Sequence, residues 1–187
     1  RKINYKKKII HIVAPTVWAW RSYRARKFAN IYDEIFLLFN FEKKYFNFQN
    51  FKKTFIGHPI FHIKKRKIKE NYKFIAFLPG SRQNEVIKLI KYFNHIEEYI
   101  NKNNLNLKIF IPTLPHLVSL IKECTKKWKT ETLISTDVSK FDEYYDDVYL
   151  SLTCSGTASL EIAKRNIPQI VIYKLNYFTE MLFKPFV

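Results

Sequence analysis

The segment Leu78-Pro-Gly-Ser-Arg82 has the residue types of a turn that binds phosphate. Gly80 lets a ligand approach the backbone closely, and Ser81 can cap a helix that begins after it. The start of a helix presents unpaired N–H groups that have a partial charge of roughly +0.5 and favour anions. Arg82 adds a planar fork of donors that suits a diphosphate. The alternative is an ordinary strand-to-helix turn with a solvated arginine, in which Glu85 complements the helix dipole.

A second segment, Cys154-Ser-Gly-Thr-Ala-Ser-Leu-Glu161, has the residue types of a turn that binds a sugar. Ser155, Gly156 and Thr157 are small enough for a ligand to lie on the loop that they form. Glu161 would follow about one turn into the next helix, where its carboxylate can accept hydrogen bonds from both hydroxyls of a ribose. The alternative is a well-capped helix with an exposed glutamate.

The two turns together indicate a nucleotide-sugar site. The Walker pattern Gly-x4-Gly-Lys-Ser/Thr is absent, as is the dinucleotide-binding pattern Gly-x-Gly-x-x-Gly. Ser155 is not part of the Gly-x-Ser-x-Gly elbow in which hydrolases hold a nucleophile. The histidines and cysteines have no spacing typical of a metal site, so we expect neither a metal nor another cofactor.

Short apolar runs that are rich in β-branched residues predict strands buried on both faces. They alternate with helical segments, of which 83–101 has the clearest apolar stripe. This alternation predicts an α/β fold with a parallel sheet, in which ligands bind beyond the carboxyl ends of the strands. Both turns follow a strand and precede a helix, so we expect them at one edge of the sheet. The strands that we expect are 9–14, 35–39, 74–78, 107–111, 132–135, 148–152 and 169–173.

The alternation is interrupted from about Gly57 to Tyr72, where the sequence becomes polar and basic. We interpret the stretch 61–72 as a linker between an upstream lobe at 1–60 and a nucleotide-binding lobe at 73–187. A long surface loop is the alternative interpretation.

The chain has a formal net charge of +17, and such an excess attracts nucleic acids, anionic membranes or phosphorylated ligands. A biased base composition of the coding DNA would produce the same excess of lysine, so the charge alone selects no ligand. The hydrophobic content of 47% excludes a disordered chain, and no apolar run approaches the ~20 residues that span a bilayer.

Five segments of the chain occur in the same order and spacing in one family of enzymes. They are Val13-Ala-Pro-Thr-Val-Trp-Ala-Trp-Arg21, Asn40-Phe-Glu-Lys43, Phe55-Ile-Gly-His-Pro59, Leu78-Pro-Gly-Ser-Arg-Gln-Asn-Glu85 and Ser155-Gly-Thr-Ala-Ser-Leu-Glu161. On these segments the chain resembles the lipid-A-disaccharide synthases over essentially its whole length, and Tyr173-Lys174 extends the match. The tryptophan-containing segment is specific to that family. Family members usually have Leu-Pro-Phe-Glu where this chain has Phe39-Asn-Phe-Glu42.

The resemblance implies a GT-B-type glycosyltransferase fold, represented here by the C-terminal part of the N-lobe and most of the nucleotide-binding Rossmann-like lobe. It implies transfer of 2,3-diacylglucosamine from its UDP carrier to the 6-hydroxyl of 2,3-diacylglucosamine 1-phosphate, which gives the β(1→6) lipid A disaccharide 1-phosphate and UDP. The anomeric centre would be inverted without a metal, with Arg82 as the main stabiliser of the leaving diphosphate. A cytoplasmic enzyme, peripheral on the inner membrane, is implied as well. The family's catalytic aspartate would lie upstream of Arg1 and its late asparagine motif beyond Val187, so we expect the chain alone to be inactive.

Trp18, Trp20 and Arg21 follow the first expected strand, where they either line a cleft between lobes or pack within the protein. His58 precedes Pro59 and is more typical of a turn residue than of a catalytic base.

Two other functions are compatible with parts of the sequence. A UDP-sugar 2-epimerase would also bind UDP through small-residue turns and an acidic residue. A basic nucleic-acid-binding domain would explain the charge, but the cations are spread along the chain without a nucleic-acid-binding motif, so we expect no specific nucleic-acid partner. The oligomeric state and the acyl-chain preference stay open.

Overall fold

The computed structural model describes residues 7–19 and 21–172, which form an α/β structure with two parallel sheets. The chain divides into two units, Arg1–His62 and Ile63–Val187. Each unit has its own sheet and its own hydrophobic core. The predicted α/β class with parallel strands is therefore confirmed.

The first unit contains a three-stranded sheet. Its elements are β1 (Ile10–Ile12), α1 (Arg24–Ile31), β2 (Glu34–Leu37), β3 (Lys52–Phe55) and short 3₁₀ helices at Asn40–Phe46 and Pro59–His62. The strand order is β1-β2-β3, and the central strand β2 buries Ile35 and Leu37 completely, in one cluster with Phe46. This sheet therefore packs its core around the middle strand.

β3 is the one strand of the described residues that the sequence does not predict. Lys52 and Lys53 occupy half of its four positions, and its outer residues are exposed. Among the residues that the structure describes, β3 pairs only with β2, and edge strands commonly contain lysines that discourage pairing with other chains. With two lysines among its four residues, β3 lacks the apolar run by which the other strands are recognised.

The second unit contains a five-stranded sheet. Its elements are β4 (Phe74–Leu78), α2 (Gln83–Lys102), β5 (Lys108–Pro112), α3 (Val118–Thr125), β6 (Thr132–Ser135), α4 (Phe141–Asp146), β7 (Val148–Cys154), α5 (Thr157–Lys164) and β8 (Gln169–Ile172), with 3₁₀ helices at Pro115–Leu117 and Val138–Lys140. The order is β6-β5-β4-β7-β8. From β4 the chain adds β5 and β6 on one side, and it then returns to add β7 and β8 on the other side of β4. In open parallel sheets, ligands bind at such a reversal point, beyond the carboxyl ends of the strands.

Both faces of this sheet are covered, which explains its nearly continuous apolar strands. Along β4, Ile75 and Phe77 belong to the cluster that includes α2, and Phe77 stacks on Phe93 at 4.7 Å between ring centroids. The alternate residues Ala76 and Leu78 belong to the cluster that includes α4 and α5. The long helix α2 buries the predicted apolar stripe. Across the described ranges, no helix is long and apolar enough to span a membrane.

The basic stretch 63–72, here called the strap, has no regular secondary structure and is held against the second unit. The backbone N–H of Arg66 donates to Arg165 O at 2.9 Å, and its guanidinium donates to Val148 O and Asn166 O. Lys69 forms an ion pair with Asp147 at 2.5 Å. These bonds give the strap a fixed course along the rest of the second unit.

Candidate functional site

A cavity of about 590 Å³ lies at the carboxyl edge of the second sheet. All seven residues for which the sequence suggested nucleotide binding line it: Gly80, Ser81, Arg82, Ser155, Gly156, Thr157 and Glu161. The two turns meet because β4 and β7 are neighbours, with Leu78 paired in register to Thr153. The intervening strands β5 and β6 lie on the far side of β4. The expectation that both turns share one sheet edge is therefore confirmed.

Both turn glycines have backbone conformations that other residues rarely adopt. Gly80 has φ +104° and Gly156 has φ +133°. A Cβ atom added to Gly80 would also clash with a carboxylate oxygen of Glu85 and would lie 3.0 Å from the Glu85 Cβ atom. A Cβ atom added to Gly156 would meet nothing within 4 Å. Gly80 is thus required by its backbone and by its neighbour, and Gly156 by its backbone alone.

The cap of α2 differs from the one that the sequence suggested. Arg82, not Ser81, occupies the N-cap position, and the capping group is the Glu85 carboxylate. It accepts hydrogen bonds from Ser81 N at 3.0 Å and Arg82 N at 3.3 Å. The guanidinium of Arg82 donates to the same carboxylate at 3.0 Å, and the Arg82 side chain is 81% exposed. Glu85 is therefore the anion that this turn holds in the structure.

Glu161 lies on α5 with its carboxylate fixed by a neighbour. Its Oε1 atom accepts hydrogen bonds from Arg165 Nε at 3.3 Å and Nη2 at 3.2 Å. The Arg165 side chain is only 7% exposed, donates to Asp142 Oδ1 at 2.6 Å, and lies 4.4 Å from the ring centroid of Tyr145. Sequence reasoning did not single out Arg165, although the spacing of four residues from Glu161 is the one that pairs side chains on a helix.

Other walls of the cavity were also missed from the sequence. Thr113 and Leu114, which follow β5, form a third turn at the same edge, and Phe141 and Tyr145 come from α4. The buried Thr113 Oγ1 atom has no hydrogen-bond partner within the described residues. These residues lack the glycines and charges that drew attention to the first two turns. For Thr113 and Leu114, only the position after a strand of the same sheet could have indicated a place in the cavity wall.

Cys154 is a half-buried thiol in the wall of this cavity. Burial raises the pKa of Cys154, and the nearby Glu85 carboxylate raises it further. Burial likewise raises the pKa of the Tyr145 hydroxyl, with a contribution from Glu161. Both groups are therefore protonated near neutral pH, which does not favour either as a nucleophile or a base.

A second cavity of about 610 Å³ lies beside α2 and Trp128, away from the two turns. Its central carboxylate, Glu97, accepts hydrogen bonds from the backbone N–H groups of Lys129 and Thr130 at 2.8 and 2.9 Å. Those bonds join α2 to the loop before β6, so Glu97 has a structural role. Among the residues that the structure describes, no cluster of His, Cys, Asp or Glu could hold a metal ion.

The candidate residues of the first unit are only partly described. Trp18 is 47% exposed and packs edge-on against Phe41 at 5.7 Å between ring centroids, while Arg21 has φ +57°. Trp20, like Tyr173-Lys174, lies outside the described residues. His58 accepts a hydrogen bond from Ile60 N through Nδ1 at 3.0 Å and stacks on Phe39, which is the arrangement of a turn residue.

A family model described as lipid-A-disaccharide synthetase matches residues 1–187. The chain belongs to this family. Members of the lipid-A-disaccharide synthetase family to which it is similar include the lipid-A-disaccharide synthase of Rhodospirillum centenum, 30% identical over all of this chain and 49% of the relative. The corresponding enzyme of Rickettsia felis is 38% identical over 94% of this chain and 47% of the relative. The enzyme of Wigglesworthia glossinidia brevipalpis is 34% identical over 91% of this chain and 48% of the relative.

The chain spans about half the length of these curated relatives of the lipid-A-disaccharide synthetase family. Its parallel α/β units are consistent with a Rossmann-like part of a GT-B glycosyltransferase. Because the family match covers both units, it favours the predicted resemblance over an epimerase or a nucleic-acid-binding domain.

Proposed function

We propose that this chain is the nucleotide-sugar-binding part of an inverting glycosyltransferase of lipid A biosynthesis. The whole enzyme would transfer 2,3-diacylglucosamine from UDP to the 6-hydroxyl of 2,3-diacylglucosamine 1-phosphate and release UDP. Family membership supports the reaction, since the relatives described above are named lipid-A-disaccharide synthases. The observation that supports the binding role most strongly is the meeting of two chemically suited turns in one cavity.

The diphosphate would bind at the Gly80 turn, where the N-terminus of the 20-residue helix α2 favours anions. Because the Arg82 side chain is 81% exposed, its guanidinium can turn from Glu85 to a phosphate without disturbing the core. The Gly156 turn lies across the cavity at the start of α5 and leaves room for a ligand near its backbone. Glu161 would accept the ribose hydroxyls.

This arrangement supplies electrostatic stabilisation of the leaving group. A base elsewhere in the whole enzyme would take the proton of the acceptor 6-hydroxyl as its oxygen forms the bond to the anomeric carbon. The bond from that carbon to the UDP oxygen then breaks, and its electron pair moves to the diphosphate. Negative charge therefore grows on the oxygen nearest the sugar. The exposed guanidinium of Arg82 and the partial positive charge at the start of α2 can stabilise this charge, as preorganised groups do in catalysis.

Calorimetric titration of UDP into the chain tests the binding role. We expect Arg82→Ala to weaken UDP binding by about ten-fold or more, as loss of a charge-assisted hydrogen bond does, and Glu161→Ala to weaken it similarly. Lys126→Ala is the matched control, because Lys126 also forms an exposed ion pair three residues away, with Glu123, outside the cavity. Equal UDP affinity in wild type, Arg82→Ala and Glu161→Ala would contradict the assignment.

We also propose that the enzyme acts at the cytoplasmic face of the inner membrane, where its acylated substrates would lie. The strap supports this location because Ile68 is 92% exposed between cationic neighbours, among them the exposed Lys64, Lys65 and Lys67. An apolar tip surrounded by lysines suits a surface of anionic lipids.

A further inference from the structure

We propose that Arg165 is a positioning residue that fixes the Glu161 carboxylate for the ribose of the nucleotide. The inference rests on the function proposed above, because it concerns how that cavity would bind UDP. Arg165 does not line the cavity itself, so it acts through Glu161. It would thereby determine how well the site distinguishes ribose from sugars that lack a hydroxyl.

Arg165 is held in one place by groups from two helices. Its side chain is 7% exposed, and a buried guanidinium is tolerated only where its donors are paired. From α5, Glu161 receives the Nε and Nη2 bonds. From α4, Asp142 receives the Nη1 bond at 2.6 Å, and the Tyr145 ring lies beneath the guanidinium. The arginine therefore cannot change rotamer without losing contacts to both helices.

The geometry of the bonds to Glu161 determines which part of its carboxylate is available. Both hydrogen bonds from Arg165 are made to Oε1. The Glu161 side chain is 30% exposed and lines the cavity, so the rest of its carboxylate can accept from a ligand. A carboxylate already fixed in this way loses little rotamer freedom when a diol binds, which is how preorganisation increases affinity.

An arginine suits this position better than a lysine would. The planar guanidinium directs two donors at Glu161 and a third at Asp142 at fixed angles. A lysine ammonium would be a single charged point on a flexible stem and could not hold both carboxylates in the same geometry. Arg165→Lys should therefore restore the charge but only part of the positioning.

Affinities for UDP and for 2′-deoxy-UDP, measured by calorimetry on the 187-residue chain, test this role. Wild type should bind UDP roughly ten-fold more tightly than 2′-deoxy-UDP, because the deoxy ligand lacks one hydrogen bond to a charged group. Arg165→Met should reduce this preference to about two-fold, and Arg165→Lys should give an intermediate ratio. Arg66→Met is the matched control, since Arg66 is another partly buried arginine of this unit. Within the described part of the chain, its side chain bonds only backbone oxygens and packs on Tyr72. Arg66→Met should lower the melting temperature and leave the UDP to 2′-deoxy-UDP ratio unchanged.

The possible outcomes separate the two levels of the proposal. If wild type binds UDP with no preference over 2′-deoxy-UDP, the assignment of ribose to Glu161 fails. If wild type discriminates and Arg165→Met keeps its full preference, the positioning role of Arg165 is overturned while the binding site stands. If Arg165→Met weakens the binding of UDP and of 2′-deoxy-UDP equally and lowers the melting temperature, Arg165 has a purely structural role, and the inference is also overturned.

Discussion

At the scale of single residues, Glu34 is a buried carboxylate whose charge stabilises the first unit. Lys8 Nζ donates a hydrogen bond to its Oε2 atom, and Thr54 Oγ1 donates to its Oε1 atom at 2.6 Å. Lys52 Nζ lies 3.4 Å from the same Oε1 atom. The hydrogen bond from Lys8, followed by the one from Thr54, lowers the pKa of Glu34 from 4.5 to about 2. A carboxylate with a lowered pKa in the folded state adds stability above its unfolded pKa, and this stability is lost as pH falls through the folded pKa.

We therefore expect Glu34→Gln to reduce the free energy of unfolding at pH 6, and the difference from wild type to shrink between about pH 4.5 and pH 2. Denaturant unfolding at several pH values measures this difference. Glu98→Gln, at a residue that is 74% exposed, should show little effect at any of these pH values. A difference that stays constant from pH 6 to pH 2 would contradict the role of the charge.

Gly80 should be sensitive to the smallest possible substitution. In Gly80→Ala the new methyl group would meet Glu85 in addition to the strain of φ +104°, so we expect a loss of about 1–3 kcal/mol of stability. Gly57→Ala is the control, because Gly57 has φ +83° but its added Cβ would lie 3.9 Å from Phe61. Thermal unfolding of both variants should show the larger loss for Gly80→Ala, and equal losses would mean that the Glu85 contact is unimportant.

At the scale of elements, the sequence predicts the strands that helices cover on both faces, together with the turns that follow them. β4 and β7 are recognised because their apolar runs are covered by helices. The turns after them are recognised because their glycine, serine and arginine residues are typical of ligand-binding turns. β3 is not recognised because Lys52 and Lys53 leave it without an apolar run. The role of Arg165 depends on the packing of α4 against α5, which no local pattern encodes.

The strap is an element whose expected partner is an anionic lipid surface. Replacement of Lys64, Lys65 and Ile68 by serine should lower binding to vesicles with anionic lipids by about ten-fold or more, since each cation near such a surface contributes about 1 kcal/mol. Lys126→Ser with Lys127→Ser is the control, because it removes the same charge from another exposed position. Sedimentation with anionic and with zwitterionic vesicles measures the effect. Equal binding of both variants, or binding of wild type to neither vesicle, would contradict a role for the strap.

At the scale of the whole molecule, the chain consists of two parallel α/β units and belongs to a family whose curated members are about twice as long. The second unit has a strand order that reverses between β4 and β7, and the seven residues expected to bind the nucleotide line one cavity there. We therefore expect function to depend on this edge more than on the total charge of +17, which is distributed along the chain.

Alkylation of the two cysteines, with and without UDP, tests most directly whether the nucleotide binds at this edge. Cys154 lines the cavity between the turns, and Cys124 lines the separate cavity beside Trp128. Burial raises the pKa of both thiols, so the reaction should be followed at alkaline pH by mass spectrometry of each cysteine. At a UDP concentration ten times the Kd, we predict that Cys154 reacts about ten-fold more slowly while Cys124 reacts at an unchanged rate. An unchanged rate for Cys154 under these conditions, or equal slowing of both cysteines, would contradict nucleotide binding between the Gly80 and Gly156 turns.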